Sequence, residues 1–201
     1  MPDIIYVAIC LIFGYLFGSL NFAIVYSKLR GDDIRKHGSG NAGTTNVLRT
    51  YGKGPAALVL ILDISKGVIA VLISRLIFDN GIYDYAAALG AVLGHNFPLY
   101  YGFKGGKGVA TSLAVLIALD WMVALVALAT FIIVALITRY VSLSSILAAV
   151  AAVTAAFISH KVDEFSIFCA IIGTLCVVRH HSNIARLIKG TENKLGQKKK
   201  G

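Results

Sequence analysis

Residues Gly102-Phe-Lys-Gly-Gly-Lys-Gly-Val-Ala-Thr111 join two lysines and four glycines directly to an apolar run. Glycines let backbone N–H groups approach an anion closely, and the first turn of a following helix adds unpaired donors and the positive end of its dipole. Lys104, Gly105, Gly106, Lys107 and Gly108 are therefore expected to bind a phosphate. A triphosphatase reading fails: Tyr101 stands where a Walker loop needs its first Gly, and Gly108 replaces the magnesium-binding Ser/Thr. Just upstream, Gly94-His-Asn-Phe-Pro98 places His95 at a helix end, either as a hydrogen-bonding anchor or as a proton carrier.

Three further polar clusters carry chemistry. Gly38-Ser-Gly-Asn-Ala-Gly-Thr-Thr-Asn-Val-Leu-Arg49 holds a formal G-x-G-x-x-G, but it lies between two apolar helices with no β-strand before it, so a dinucleotide site is rejected. What remains are hydroxyl, amide and guanidinium donors for a carbonyl or phosphate: Ser39, Asn41, Thr45, Asn46 and Arg49. Arg139-Tyr-Val-Ser-Leu-Ser-Ser145 is either a snorkelling anchor or a set of serines that cap the next helix and offer donors, Ser142 among them. Arg179-His-His-Ser-Asn-Ile-Ala-Arg186, continuing to Glu192, supplies His180 and Asn183; the plain alternative is a basic juxtamembrane stretch. No His has an Asp five residues on, no metal-ligand cluster is visible, and no cysteine or Asp/Glu pair falls among these motifs, so no metal, cofactor or covalent enzyme intermediate is expected.

The elements that position these clusters are membrane helices. The chain has 201 residues, is 57% hydrophobic and 14% charged, and has a mean hydropathy of +0.78, too apolar for a soluble domain. The N-terminus lacks basic residues and a cleavage site, so the first segment is expected to stay in the mature protein. Cys10, Cys169 and Cys176 sit in apolar runs and read as packing residues. Seven apolar segments stand out, at about Ile4–Val25, Pro55–Ile77, Ile82–Leu99, Val109–Leu119, Trp121–Thr138, Val141–Ile158 and Phe165–Val178. The fourth and seventh fall short of the roughly 20 residues needed to cross hydrocarbon. The expectation is an all-α membrane protein of about seven helices, one polytopic domain over 1–201, with a basic tail from about 194. Within the second segment Asp63 and Lys66 share a helical face, and a buried ion pair is favoured for them.

Seven crossings gather sixteen of the nineteen Lys and Arg residues on one side and leave only Arg75 and Lys161 on the other. The positive-inside rule then puts the N-terminus outside and the C-terminus and all four motif clusters in the cytoplasm, with Asp79, Asp84, Asp120, Asp163 and Glu164 on the outer side. The boundary at Asp120 matters most, because a single tilted helix over 109–138 would give six crossings and send the basic tail outside.

In this order the motifs resemble those of the acyl-phosphate-dependent glycerol-3-phosphate acyltransferase family (PlsY), integral membrane enzymes of bacterial phospholipid synthesis. The pattern G-S-G-N-x-G-x-T-N-x-x-R stands as Gly38–Arg49, G-H-x-F-P…F-K-G-G-K-G-V-A-T as Gly94–Thr111, and R-H-x-x-N-I-x-R as Arg179–Arg186 with Glu192 following. Thr44 stands where many members have Ala. The resemblance covers the whole chain. It implies transfer of a fatty acyl group from acyl phosphate to the 1-hydroxyl of glycerol 3-phosphate at the bacterial inner membrane, without acyl-CoA, carrier protein or nucleotide, and a peripheral enzyme that supplies acyl phosphate.

On that footing Lys104, Lys107 and the glycines between and beside them would hold a phosphate, with Arg49, Ser142, His180 and Asn183 completing the polar site. Ser39, Asn41, Thr45 and Asn46 would position the donor head group or stabilise the developing oxyanion. His180 and His95 are the protein's candidate bases, and a substrate phosphate oxygen is the favoured one. The alternative is a permease for a phosphorylated solute, which the apolar spans disfavour. A purely structural membrane partner would leave the glycine–lysine loop unexplained.

Overall fold

The computed structural model describes residues 3–78 and 80–197. Asp79, expected on the outer side, and Lys198–Gly201 of the basic tail lie outside the described residues. The described residues form ten α-helices: α1 (Ile4–Gly18), α2 (Phe22–Leu29), α3 (Thr44–Tyr51), α4 (Lys53–Ile77), α5 (Gly81–Asn96), α6 (Val109–Leu119), α7 (Trp121–Thr138), α8 (Val141–His160), α9 (Glu164–Arg179) and α10 (His181–Ile188). Two single 3₁₀ turns, Ile34–Lys36 and Leu99–Tyr101, lead into the motif loops. Many large aliphatic side chains face outward, Leu76 at 85% and Ile158 at 77% among them, which only a lipid surround makes favourable.

Each expected apolar segment becomes helix. Four stretches have the length and apolarity to cross a membrane alone: Ile4–Leu29, Lys53–Ile77, Trp121–Thr138 and Val141–His160. A fifth arises if α9 and α10, bent by 56°, count together. One feature differs from expectation. The first segment is broken after Gly18, because the Asn21 side chain caps α2 by accepting from the Ile24 N–H at 3.1 Å. The boundary expected at Asp120 is present: the residue is extended (φ −149°, ψ 102°) between α6 and α7, so 109–138 is not one helix.

The chain divides into two compact units, Met1–Asp120 and Trp121–Gly201. In the first, α1 packs on α5 through small residues: a methyl on Gly14 would run into the Ala87 carbonyl, and one on Gly90 into the Leu11 carbonyl. Such backbone-to-backbone approach is how helices gain packing where lipid removes the hydrophobic drive. Gly67 does the same for α4 against α6, its built Cβ falling 2.8 Å from that of Ala114. In the second unit α8 packs with α7 and α9, and Gly173 on α9 lies against Val153 of α8. The three cysteines are buried, and the described residues contain no disulfide.

Candidate active site

The first motif loop is built around one buried amide. Asn46, 1% exposed, accepts from the Ser39 N–H at 2.9 Å and donates to the carbonyls of Ile34 at 3.1 Å and His37 at 2.9 Å. Gly38 (φ 59°) and Gly40 (φ 72°) take the left-handed turns that let the loop close, and a Cβ on Gly38 would strike the Asn46 amide oxygen. Asn46 is thus committed to the loop. Both of its N–H donors are spent inside the loop, and its oxygen holds Ser39, which is exposed at the loop surface. Asn41 and Thr45 are half-buried beside it, and Arg49 is exposed on α3. The α3 N-terminus, with Gly43 as N-cap, has no side chain capping it.

A side chain that composition and motif reading overlooked ties this loop to the second. Arg35 pairs with Asp33 at 2.8 Å and donates through Nη1 to the Tyr101 carbonyl at 2.8 Å. The Arg35 hydrogen bond holds the Asp33 carboxyl below its ordinary range. Nothing in Arg35, set between Ile34 and Lys36 ahead of the first glycine cluster, signals that contact.

In the second loop Gly105 and Gly106 lie directly on the end of α5. The Gly106 N–H donates to the His95 carbonyl at 3.1 Å, and a Cβ at Gly106 would collide with His95 Nε2. Gly102 (φ 65°) and Gly108 (φ 77°) turn left-handed, and Gly108 opens α6 with no side-chain cap. Beneath it the buried side chains of Asn96 and Thr111 have no hydrogen-bond partner among the described residues. Lys104 is exposed and Lys107 half-buried. A glycine loop, two lysines and an uncapped helix start are the components from which an anion cradle can be built. His95 is 4% exposed, with Nδ1 3.0 Å from Lys66 Nζ.

The second unit assembles its own polar centre on Glu192, a residue the motif pattern included but to which no role was assigned. Glu192 Oε1 accepts from Ser142 Oγ at 2.8 Å and Asn183 Nδ2 at 2.7 Å, and Oε2 accepts from Arg186 Nε at 2.7 Å. Burial pushes this carboxyl up, but the three donors outweigh it and hold it below the usual range. Ser142 thus spends its hydrogen on Glu192 and is left as an acceptor. The reading of Ser142, Ser144 and Ser145 as helix caps is likewise corrected. Tyr140 is the N-cap residue and makes no side-chain cap bond, while Ser144 and Ser145 donate back to the carbonyls of Tyr140 and Val141. His180, 2% exposed, has Nδ1 2.7 Å from the Cys176 carbonyl. A carbonyl only accepts, so Nδ1 carries a proton.

Residues 8–190 match the family model for glycerol-3-phosphate acyltransferase. The chain is 47% identical over 195 residues to a glycerol-3-phosphate acyltransferase of Shouchella clausii, covering 93% of this chain and 95% of that one. It also superposes on two crystal structures described as PlsY, an integral membrane glycerol 3-phosphate acyltransferase. The glycerol 3-phosphate form matches with a TM-score of 0.89 and 42% identity, covering 94% of this chain and 96% of that chain. The lysophosphatidic acid form matches with a TM-score of 0.86 and 41% identity, over 94% and 95%. The all-helical membrane fold, the anion cradle and the spacing of the motifs along nearly the whole chain have one common account: this chain belongs to the glycerol-3-phosphate acyltransferase family.

Proposed function

We propose that this protein transfers a fatty acyl group from acyl phosphate to the sn-1 hydroxyl of glycerol 3-phosphate, giving lysophosphatidic acid and inorganic phosphate for phospholipid biosynthesis. The observation that carries the reading is the cradle at Lys104–Gly108, an anion site in a membrane protein whose relatives share its family. Relatives solved in glycerol 3-phosphate and lysophosphatidic acid forms support the acceptor and the product.

Acyl phosphate is a mixed anhydride, so its phosphate is already a good leaving group. The acceptor hydroxyl attacks the carbonyl carbon, the new ester C–O bond forms, the acyl–phosphate C–O bond breaks, and the hydroxyl proton passes to a phosphate oxygen. A phosphate second pKa of about 6 makes that oxygen a competent acceptor near neutrality. The cradle with Lys104 and Lys107 holds a substrate phosphate, and Arg49 adds a third cationic donor. Ser39, Asn41 and Thr45 orient the donor head group or its oxyanion. His180 and Asn183 help to position the acceptor alcohol. Orientation and fixed dipoles supply most of the acceleration, and no covalent acyl-enzyme is needed.

The basic-residue asymmetry supports a bacterial inner membrane location with the N-terminus outside and the motif loops and C-terminus in the cytoplasm. A peripheral enzyme that makes acyl phosphate would deliver it to that face. Purified protein in lipid, supplied with acyl phosphate and glycerol 3-phosphate, should release phosphate and form lysophosphatidate in equal amounts. Uptake of glycerol 3-phosphate into vesicles without covalent change would overturn the reading in favour of a permease.

A further inference from the structure

Away from the motif loops, the most unusual chemistry in the first unit is a charged cluster inside a membrane helix. Asp63 and Lys66 on α4 are each 1% exposed, with Lys66 Nζ 2.8 Å from Asp63 Oδ1. An isolated buried pair of this kind is often matched or bettered in stability by apolar residues of the same volume. Its other contacts point to what it does. The ammonium also donates to the Leu20 carbonyl at 2.8 Å, an acceptor next to the α1–α2 break. It lies 3.0 Å from His95 Nδ1. The ammonium thus hydrogen-bonds Leu20 and His95 while it faces the Asp63 carboxylate as an ion pair, and of these three only His95 belongs to a catalytic motif.

An ammonium has no lone pair, so Nδ1 of His95 accepts and the ring proton sits on Nε2. Asp63 Oδ1 is farther from that nitrogen, at 3.6 Å, and its charge is answered by Lys66. The Nε2 edge of the ring abuts Gly106, and the His95 carbonyl accepts from the Gly106 N–H at 3.1 Å. One chain of contacts therefore runs from the apolar middle of α4 to the backbone of the anion cradle.

We propose that Asp63 and Lys66 are positioning residues for acyl transfer: they lock His95 as its Nε2–H tautomer and so hold the backbone at Gly105–Gly106 in the geometry that receives a phosphate. This rests on the function proposed above for the cradle. It also assigns His95 a scaffold role and removes it from the candidate bases. Its Nδ1 lone pair is taken, and a second proton would place an imidazolium beside an ammonium.

The test compares Lys66→Met with wild type in lipid nanodiscs, reading thermal stability, steady-state kinetics for each substrate and histidine ¹⁵N resonances. The inference expects folded K66M to lose about ten- to hundredfold in kcat/KM. Its KM should rise for the same substrate whose KM rises in Lys104→Ala, and the His95 signals should leave the Nε2–H pattern. His95→Gln and Lys66→Met should not multiply, because both act along one path. A folded K66M with kcat/KM within about twofold of wild type, or losses that multiply, overturns the inference. Should K66M not fold, Asp63→Asn/Lys66→Met, which leaves no orphaned charge, carries the same reading. The wild-type ¹⁵N spectrum decides independently: a His95 protonated at Nδ1 overturns the inference whatever the variants do. That spectrum needs no turnover, so a wild type that forms no lysophosphatidate would sink the proposed function without bearing on the network.

Discussion

Ser142 and Glu192, fifty residues apart, meet through a 2.8 Å hydrogen bond from Ser142 Oγ to the carboxylate, which also takes hydrogen bonds from Asn183 and Arg186. Glu192→Ala strands three donors, two of them on buried side chains, and is expected to cost about 2–4 kcal/mol of stability. Glu192→Gln keeps an acceptor oxygen and should cost less. The carboxyl is held below its ordinary pKa in the fold, so its contribution is complete above the unfolded value of 4.5 and is lost as pH falls through the lower folded value. Thermal unfolding in detergent from neutral to acid pH should show wild type converging on the Gln variant at low pH. Parallel curves would contradict the assignment.

Lys104 is exposed beside an uncapped helix start and is placed to meet phosphate charge. Removing a charge-assisted hydrogen bond of about 1.5–3 kcal/mol should weaken one substrate by roughly ten- to hundredfold. Lys104→Arg should recover part of that loss, since the charge survives in a different shape. Equilibrium binding of each substrate to each variant is the measurement, and an unchanged affinity for both would remove Lys104 from the site.

Asn46 illustrates how far the chain reveals its own site. Hydropathy marks the apolar segments that become helix, because lipid contact forces apolarity on outward positions. The glycine–lysine loop was equally plain, since glycine and lysine have few other reasons to alternate at a helix start. The Asn46 amide, however, faces inward to Ser39, Ile34 and His37. Residue type reveals a donor but not the direction in which it points. The same limit hides the serines of α8, which turn back on their own helix, and long-range closure hides the Arg35 link to Tyr101 and the Ser142 bond to Glu192. The break after Gly18 was masked because a single Asn21 interrupts an otherwise apolar run.

Asn46→Asp should therefore act through the loop. It keeps an acceptor for the Ser39 N–H but loses both donors and sets a carboxylate against the carbonyls of Ile34 and His37. Hydrogen exchange at Ser39 and its neighbours should accelerate in this variant, with activity falling in step. Ser39→Ala should lower activity with exchange unchanged. Equal exchange in Asn46→Asp and wild type would restore a direct role for Asn46.

Asp32 and Tyr51 brace the same loop from outside the membrane helices. Tyr51 donates to Asp32 Oδ2 at 2.6 Å, and His37 Nε2 lies 2.8 Å from Oδ1. The Tyr51 and His37 hydrogen bonds hold the Asp32 carboxyl down at about 2, while burial followed by the Asp32 bond pushes the Tyr51 phenol up to about 12. The carboxylate's contribution is present above its unfolded value and lost as pH falls toward 2. The phenol's is present below its unfolded value and lost as pH rises toward 12. Asp32→Asn should lower the Tyr51 ionisation midpoint in an absorbance titration, but not fully to the ordinary value, because burial remains. A midpoint that does not move would separate the two residues.

Gly94 sits where α5 crosses α1, one residue before His95. A methyl there would press on the Tyr15 carbonyl and lie 2.7 Å from the Ser19 nitrogen, both backbone atoms that cannot rotate away. The helices must part, and overpacking of this kind costs about 1–3 kcal/mol. The displacement would fall at the junction that Tyr15 and Ser19 stitch to the second loop, through a 2.8 Å bond to the Phe97 carbonyl and a 3.2 Å bond from the Leu99 N–H. Gly94→Ala is therefore expected to reduce activity more than Gly14→Ala, which strains the same helix pair at Ala87, farther from the loop. Gly54→Ala, with nothing within 4 Å of the new methyl and a helical backbone, serves as the control and should be neutral or stabilising by up to about 1 kcal/mol. Unfolding midpoints together with specific activity distinguish the cases. If Gly94→Ala and Gly14→Ala lose stability and activity in the same proportion, the α1–α5 seam supports the fold as a whole and has no special hold on the loop.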